Sequence, residues 1–310
     1  MKLLFSITSF SYLFTALFMF ISISFKSQKF QNIAKFLFLF SFLENLTYFF
    51  YRWNKAGHIP VTDAFTSFVF FALCVGLFQV LFLKKSKSFI VLFSSILISF
   101  TLFGLSIAGF SENIEPLIPA LKSNWLAIHV ITSFLAYAAF SMNFLIGTYI
   151  LYTSKLKSDY ITGSLSFSIL VAGLLTSILA NLLRYNIVIL GIVIFIITFI
   201  VFIYFHKPFK NISKDLLVKP VYIGFPLLTT GIITGSIWAK YAWGGYWSWD
   251  PKEIWSLITW IVYLIYIHYN IKNKSIRFLS YLALVGFVSI MITYLGVNFI
   301  MPGLHSYASK

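Results

Sequence analysis

The stretch WAKYAWGGYWSWDPKEIW, residues 238–255, decides how the rest of the sequence is interpreted. Six of the eight tryptophans lie in this stretch or within five residues of it. Its glycine pair permits a tight turn, and Asp250, Pro251 and Glu253 predict a helix start with a capping box. An aromatic belt at a membrane surface would explain the tryptophans alone. A belt needs neither the turn nor the cap, whereas a flat apolar ligand that stacks on aromatic rings at the membrane face needs both.

The composition indicates an integral membrane protein. Of the 310 residues, 60% are hydrophobic and 10% are charged, and the mean hydropathy is +0.91, which leaves too little polar surface for a soluble domain. We predict an all-α fold, a polytopic helical bundle of about eight to ten transmembrane helices. The first apolar stretch resembles a signal peptide that lacks a cleavage site, so we expect it to be retained. The apolar stretches lie at about residues 3–25, 33–51, 64–83, 88–108, 125–153, 164–183, 187–205, 221–240, 254–271 and 278–297.

The distribution of basic residues predicts the orientation of these helices. The net charge is +15, and 15 of the 23 Lys and Arg residues fall in alternate loops, at 26–35, 84–87, 155–159, 206–219 and 272–277. The positive-inside rule places these loops inside and both termini, with the tryptophan stretch, outside. Such short clusters between apolar stretches do not indicate nucleic-acid binding. The single cysteine, Cys74, allows neither an internal disulfide nor a Cys-x-x-Cys-His haem attachment motif.

The five histidines separate by depth in the membrane. His129 lies near the outer end of the fifth stretch and His305 lies in the outer tail, so both are close to the level of the tryptophans. His268 lies 14 residues beyond Ile254, which is roughly 21 Å further in along a helix. Imidazole is a common ligand of haem iron, so His129, His305 and His268 are candidate ligands, although a lone histidine can simply bond to a neighbouring helix. The remaining histidines, His58 and His206, are in loops and are expected to be solvated.

A glycine pattern and four cations each allow both a structural and a functional interpretation. Gly231 and Gly235 form a G-x-x-x-G pattern, which is typical of close helix packing. Four cations could meet the carboxylates of a bound haem, but a solvated interfacial charge is the commoner role for each of them. These cations are Arg52, Lys55, Lys240 and Lys252.

The motifs together resemble a known family. The segment from Trp243 to Trp255 is similar to the tryptophan-rich "WWD" signature of haem-handling proteins in cytochrome c biogenesis. The segments at 52–60, 125–130, 224–235 and 303–307 resemble the CcsA (ResC) branch of that superfamily, the membrane subunit of the system II cytochrome c synthase. The resemblance covers nearly the whole chain and divides it into an N-terminal region, 1–110, and a WWD domain, 111–310. The hairpin at about 161–205 departs from the family pattern.

The resemblance implies two haem sites and a set of partners. His129 and His305 match the outer axial ligands, and His268 matches a transmembrane ligand whose mate comes from a CcsB (ResB) partner. The implied platform for haem consists of Trp243, Gly244, Tyr246, Trp247, Trp249, Asp250 and Trp255. No residue is expected to act by acid–base chemistry.

The implied activity is that of a cytochrome c haem lyase subunit. It would carry non-covalent haem b to the outer face and attach it to the Cys-x-x-Cys-His motif of apocytochrome c. A thioredoxin-like protein would keep the thiols of that motif reduced. The implied membrane is a bacterial inner membrane, with the WWD stretch facing the periplasm, or alternatively a thylakoid membrane, with that stretch facing the lumen. Two other functions stay open: a haem carrier of the system I type that leaves ligation to another protein, and a structural subunit whose tryptophans form only a belt.

Overall fold

The computed structural model contains long helices joined by short connections. It describes residues 2–83, 88–108, 110, 112–114, 116–117, 119–183, 187–206, 212–272, 275–299 and 301. Within these ranges every long element is an α-helix, as predicted, and ten helices are long and apolar enough to cross a membrane. They are α1 (Lys2–Ser24), α2 (Gln28–Ala56), α3 (Ala64–Phe82), α4 (Ser88–Ala108), α5 (Asn124–Tyr152), α6 (Lys157–Leu183), α7 (Ile187–Tyr204), α8 (Lys214–Trp243), α9 (Pro251–Ile271) and α10 (Ile276–Met291).

Three helices extend well beyond the apolar stretches that predict them. Helix α2 begins five residues before its apolar stretch and ends five residues after it, and α8 begins seven residues before. A helix of about 30 residues is roughly 45 Å long, whereas the hydrocarbon core of a bilayer is about 30 Å thick. The polar ends of α2, α6 and α8 therefore remain helical outside the apolar layer, where hydropathy gives no signal.

A π-helical segment interrupts the last membrane helix. Residues Ile292–Gly296 follow α10 directly, and the short helix α11 (Val297–Phe299) completes the described part of this span. The hydroxyl of Thr293 lies 3.3 Å from that of Thr259 on α9. Segments of this kind are rare and occur frequently at functional sites.

The chain divides by packing into two compact units. The first comprises Met1–Asn113 and Thr148–Asn211, and the second comprises Ile114–Gly147 and Ile212–Lys310. Within the first unit the α6–α7 hairpin groups with the N-terminal helices, and α6 packs against α4. The division into regions 1–110 and 111–310 stays a prediction.

The second unit is a bundle held by close contacts of small residues and stacked rings. Phe140 of α5 stacks on Tyr263 of α9, with ring centroids 3.5 Å apart. The Asn143 amide donates to the carbonyl oxygen of Leu217, at 2.7 Å, and to the Tyr266 hydroxyl, at 3.0 Å. These contacts join α5, α8 and α9, so the unit is fixed by packing and by polar bonds in the membrane interior, as is usual for membrane helices.

Substitution of Gly286 by alanine tests the closeness of α9 and α10. A Cβ at Gly286 would lie 2.5 Å from Cζ of Tyr263, a buried ring. We expect Gly286→Ala to lower the thermal unfolding midpoint in detergent, at a cost of about 1–3 kcal/mol. Gly104→Ala in α4 is the control, since a Cβ there meets no described atom within 4 Å. Equal midpoints for the two variants would contradict this packing.

Candidate functional site

The tryptophan stretch forms the turn between α8 and α9. Gly244 ends α8 in the left-handed conformation, with φ of +85°, and its N–H donates to the carbonyl oxygen of Lys240 at 3.0 Å. Asp250 caps α9, Pro251 is its first residue, and Glu253 completes the capping box. The helix start that the sequence predicts is therefore confirmed, with each of its three residues in the expected role.

Trp249 has an unusual backbone conformation within this turn. Its φ is +60°, a left-handed conformation that costs a bulky residue on the order of 1–3 kcal/mol. Glu253 holds the chain on both sides of it: Oε2 accepts from Ser248 N at 2.7 Å and from Asp250 N at 3.3 Å. Trp249 is 67% exposed. The carboxylate of Glu253 thus offsets strain in a turn that presents an indole ring outward.

The predicted platform residues differ in exposure. Tyr246 is exposed, as are Trp243 and Gly244, whereas Trp247 and Trp255 are half-buried and Asp250 is buried. The rings of Trp247 and Trp249 meet edge to face with centroids 5.9 Å apart. The turn therefore offers several accessible aromatic faces on a backbone fixed by a glycine cap and a capping box.

His129 is anchored against the two glycines of α8. Its Nδ1 lies 2.6 Å from the carbonyl oxygen of Gly231, and a Cβ at Gly235 would lie 2.5 Å from the same nitrogen. A carbonyl oxygen only accepts hydrogen bonds, so Nδ1 carries the proton and donates it, which leaves the Nε2 lone pair for a ligand. This is the arrangement by which proteins orient a metal-binding imidazole. Sequence reasoning recognised the G-x-x-x-G pattern only as helix packing and missed this second role.

A small cavity joins His129 to the tryptophan turn. It has a volume of about 60 Å³, and its lining includes His129, Ser236, Tyr246, Trp247 and Lys252. Ser236 also donates to the carbonyl oxygen of Tyr246 at 2.8 Å, which ties the turn back onto α8. Pockets that enclose whole ligands have volumes of about 300–1,000 Å³, so this cavity accommodates only part of a large ligand. The sequence places His129 and the tryptophan turn near the same depth in the membrane, and in the structure both line this cavity.

A second, open cleft lies beside Trp238. Its volume is about 320 Å³, and Trp125, Tyr241 and Lys122 line it together with Trp238. Trp238 itself is buried, and its indole N–H donates to the carbonyl oxygen of Ala120 at 2.9 Å. Trp238 therefore anchors the segment that leads into α5, and through it the position of His129.

His268 lies apart from this cavity. It is exposed on α9, and its Nδ1 lies 2.9 Å from the carbonyl oxygen of Leu264, so its Nε2 is also free. It continues an exposed stripe of isoleucines at 254, 258, 261 and 265, spaced three or four residues apart on one helix face. Because α9 is continuous, the roughly 21 Å between Ile254 and His268 is preserved.

The other histidines have different surroundings. His305 lies outside the described residues. The expectation of solvated side chains at His58 and His206 is wrong, because both are half-buried, and the His206 ring stacks on Tyr160 with centroids 4.2 Å apart. The ring contact of His206 joins residues distant in the sequence, so it leaves no local signal.

Comparisons with known proteins assign this chain to a family. A family model described as "Cytochrome C assembly protein" matches residues 61–305. The chain therefore belongs to this family of integral membrane proteins, as its helices and motifs predict.

Curated relatives narrow the assignment to one branch. The chain is 34% identical to "Cytochrome c biogenesis protein CcsA" of Guillardia theta over 270 residues, covering 83% of this chain and 79% of that relative. The corresponding protein of Gloeobacter violaceus is 34% identical over 275 residues, with 83% and 80% covered. This chain is thus a member of the CcsA family and functions in cytochrome c biogenesis.

Variants of Glu253 test how the turn is held. Glu253→Ala removes the acceptor for Ser248 and Asp250, and we expect a loss of about 1–2 kcal/mol in stability, measured as a lower thermal midpoint in detergent. Glu253→Gln is the matched control, since a glutamine keeps one acceptor oxygen and is the alternative capping-box residue. If the alanine variant unfolds at the wild-type temperature, the carboxylate does not stabilise this turn.

Proposed function

We propose that this protein holds haem at the tryptophan turn, with His129 Nε2 as an iron ligand, and presents it for covalent attachment to apocytochrome c. The observation that carries this proposal is the orientation of His129. Its Nδ1 proton is committed to Gly231, and the ring lines the same cavity as Tyr246 and Trp247. A neutral imidazole with a free Nε2 beside exposed aromatic rings suits a flat, apolar, iron-containing ligand.

The platform would be Trp243, Gly244, Tyr246, Trp247, Trp249, Asp250 and Trp255, each with a distinct contribution. The exposed rings offer stacking surface, while Gly244 and Asp250 fix the turn and helix start that position them. His305 is proposed as the second outer ligand on the strength of the family resemblance. A rigid platform of this kind contributes by placement, which can supply much of the rate of a reaction between bound partners.

The reaction itself is a redox-neutral addition. Each thiol of the Cys-x-x-Cys-His segment adds across one vinyl group of haem: an S–H bond and the C=C π bond break, a C–S bond forms, and the proton is transferred to the terminal vinyl carbon. The thiols must be reduced beforehand, which is the role proposed for a thioredoxin-like partner. The protein supplies orientation of the haem, and no side chain of this chain is required as acid or base.

His268 is proposed as a ligand at a first haem-binding site, which haem occupies before it reaches the tryptophan turn. Its free Nε2 and its place on an exposed apolar stripe of α9 suit an axial ligand shared with a neighbouring membrane protein. The proposed partner is CcsB-like and supplies the second ligand. Haem would enter at His268 and move outward along α9 to the turn, over roughly 21 Å.

The proposed orientation places the tryptophan turn on the periplasmic face of a bacterial inner membrane or, alternatively, on the lumenal face of a thylakoid membrane. Basic clusters on the opposite side of the membrane support this sidedness. Both termini would then lie on the same outer face as the turn.

Haem retention by variants around His129 tests the proposed site. We expect His129→Gly, purified with the CcsB-like partner, to lose most of the outer-site haem absorbance, and added imidazole to restore it by occupying the vacated space. Gly235→Ala should also lose haem, because a Cβ there would lie 2.5 Å from Nδ1 of His129. Gly245→Ala is the control, since a Cβ at Gly245 meets no described atom within 4 Å. Haem-free wild-type protein, or full retention in both site variants, would refute the assignment.

Chemical labelling tests the proposed orientation. Cys74 is the single cysteine of the sequence, so its replacement by serine provides a cysteine-free background. On that background Ser248→Cys should react with a membrane-impermeant maleimide in intact spheroplasts, whereas Lys272→Cys should react only after lysis. Reversed labelling of these two positions would overturn the sidedness.

A further inference from the structure

The sequence offers four cations that could meet the carboxylates of haem, and the structure places them in different surroundings. Lys55 and Lys240 are exposed, and the Lys240 ammonium donates to the carbonyl oxygen of Gly244 at 2.9 Å. Arg52 is buried in the first unit, where its Nη1 donates to the carbonyl oxygen of Glu112 at 2.9 Å. Lys252 alone among the four lines the cavity of His129.

Lys252 lies at a position where desolvation and the helix dipole both disfavour a cation. It is the second residue of α9, where the positive end of the helix dipole disfavours cations. In the part of the chain that the structure describes, the only hydrogen-bond partner of its ammonium is Asn298 Oδ1, at 2.9 Å. Asn298 is neutral and buried. An ammonium has three donors, so Lys252 is oriented by one bond and retains two donors for another acceptor.

The neighbouring acids are already engaged in the turn. Glu253 lines the same cavity, but its Oε2 accepts from Ser248 and Asp250. The Asp250 carboxylate accepts from the backbone N–H of Lys252 at 3.2 Å. Both carboxylates therefore stabilise the helix start, and the charge of Asp250 also attracts the Lys252 ammonium. The ammonium still has two donors that no described residue uses.

A second unfilled donor belongs to the same cavity lining. The indole Nε1 of Trp247 is buried and has no hydrogen-bond partner among the described residues. Buried N–H groups are nearly always paired, and an unpaired one costs about 1–3 kcal/mol. An ammonium and an indole N–H are both pure donors, so a group that bonds to both must be an acceptor, and the positive charge of Lys252 favours an anionic one.

The size of the cavity limits that anion to a small group. One water needs at least about 10–15 Å³ of such space, so about 60 Å³ accommodates a carboxylate but not a porphyrin ring. Haem carries two propionate side chains at one edge. The cavity thus fits a side chain of haem and not the macrocycle.

We propose that Lys252 Nζ and Trp247 Nε1 form a carboxylate site that receives one propionate of the haem held by His129. The site rests on the proposed function, since it requires haem at the tryptophan turn. It adds a defined orientation: one propionate edge is fixed in the cavity, with Asn298 holding the ammonium in place. With the propionate edge fixed, the positions of the vinyl groups on the same ring are fixed as well. A flat ligand that only stacked on the tryptophan turn could rotate against the aromatic rings, and the propionate contact prevents this rotation.

A comparison of the affinities for haem and for its dimethyl ester, in which both propionates are neutral, separates binding at the carboxylate site from stacking and iron ligation. We expect the detergent-purified full chain to bind haem at least about tenfold more tightly than the diester, as one charge-assisted contact would give. Lys252→Met should bind both porphyrins with similar affinity. Trp247→Phe, which keeps a ring without the N–H, should reduce the preference by a smaller factor.

Lys240→Met is the matched control for general attraction between a basic protein and an anionic ligand. It removes an exposed ammonium from the same turn and should leave the preference unchanged. Equal affinity of the wild type for both porphyrins, or an unchanged preference in Lys252→Met, would overturn the carboxylate site while leaving haem binding intact. Failure of the wild type to bind either porphyrin would instead overturn the proposed function itself.

Discussion

The contact between His129 and the glycines of α8 is the interaction on which the site depends. The imidazole occupies space that any side chain at Gly235 would fill, and its Nδ1 bonds to the carbonyl oxygen of Gly231 at 2.6 Å. Membrane helices gain little from burying apolar surface against each other, so they associate through small residues and polar bonds. Here the same small residues serve two purposes: they let a side chain of α5 approach the backbone of α8, and they fix the tautomer of a histidine that faces a cavity.

The turn between α8 and α9 is the complementary half of the site. Gly244 and Trp249 both adopt left-handed conformations, and the Glu253 carboxylate secures the chain around Trp249. The turn is therefore rigid although several of its rings are exposed. Functional groups placed on regular elements and held by further hydrogen bonds are positioned more accurately than groups on free loops. Helix α9 extends this rigidity to His268 at the opposite end of the same element.

The sequence predicts those features that depend on local chemistry. The ten membrane helices of the described residues and the capping box at Asp250 follow from hydropathy and capping preferences, and the structure agrees with both. The helical ends of α2 and α8 could not be predicted in this way, because polar residues outside the bilayer continue a helix without an apolar signal. The close contact of His129 with Gly235, the half-buried ammonium of Lys252 and the half-buried ring of His206 depend on residues distant in the sequence. Such contacts become visible only once the helices are packed.

A structure of the full chain loaded with haem, determined by electron cryo-microscopy, would show whether His129 and the tryptophan turn hold this ligand. We expect haem against the tryptophan turn, with its iron bonded to His129 Nε2 while Nδ1 still contacts the carbonyl oxygen of Gly231. Haem found away from this turn, or iron bonded to another residue with His129 unligated, would contradict this expectation.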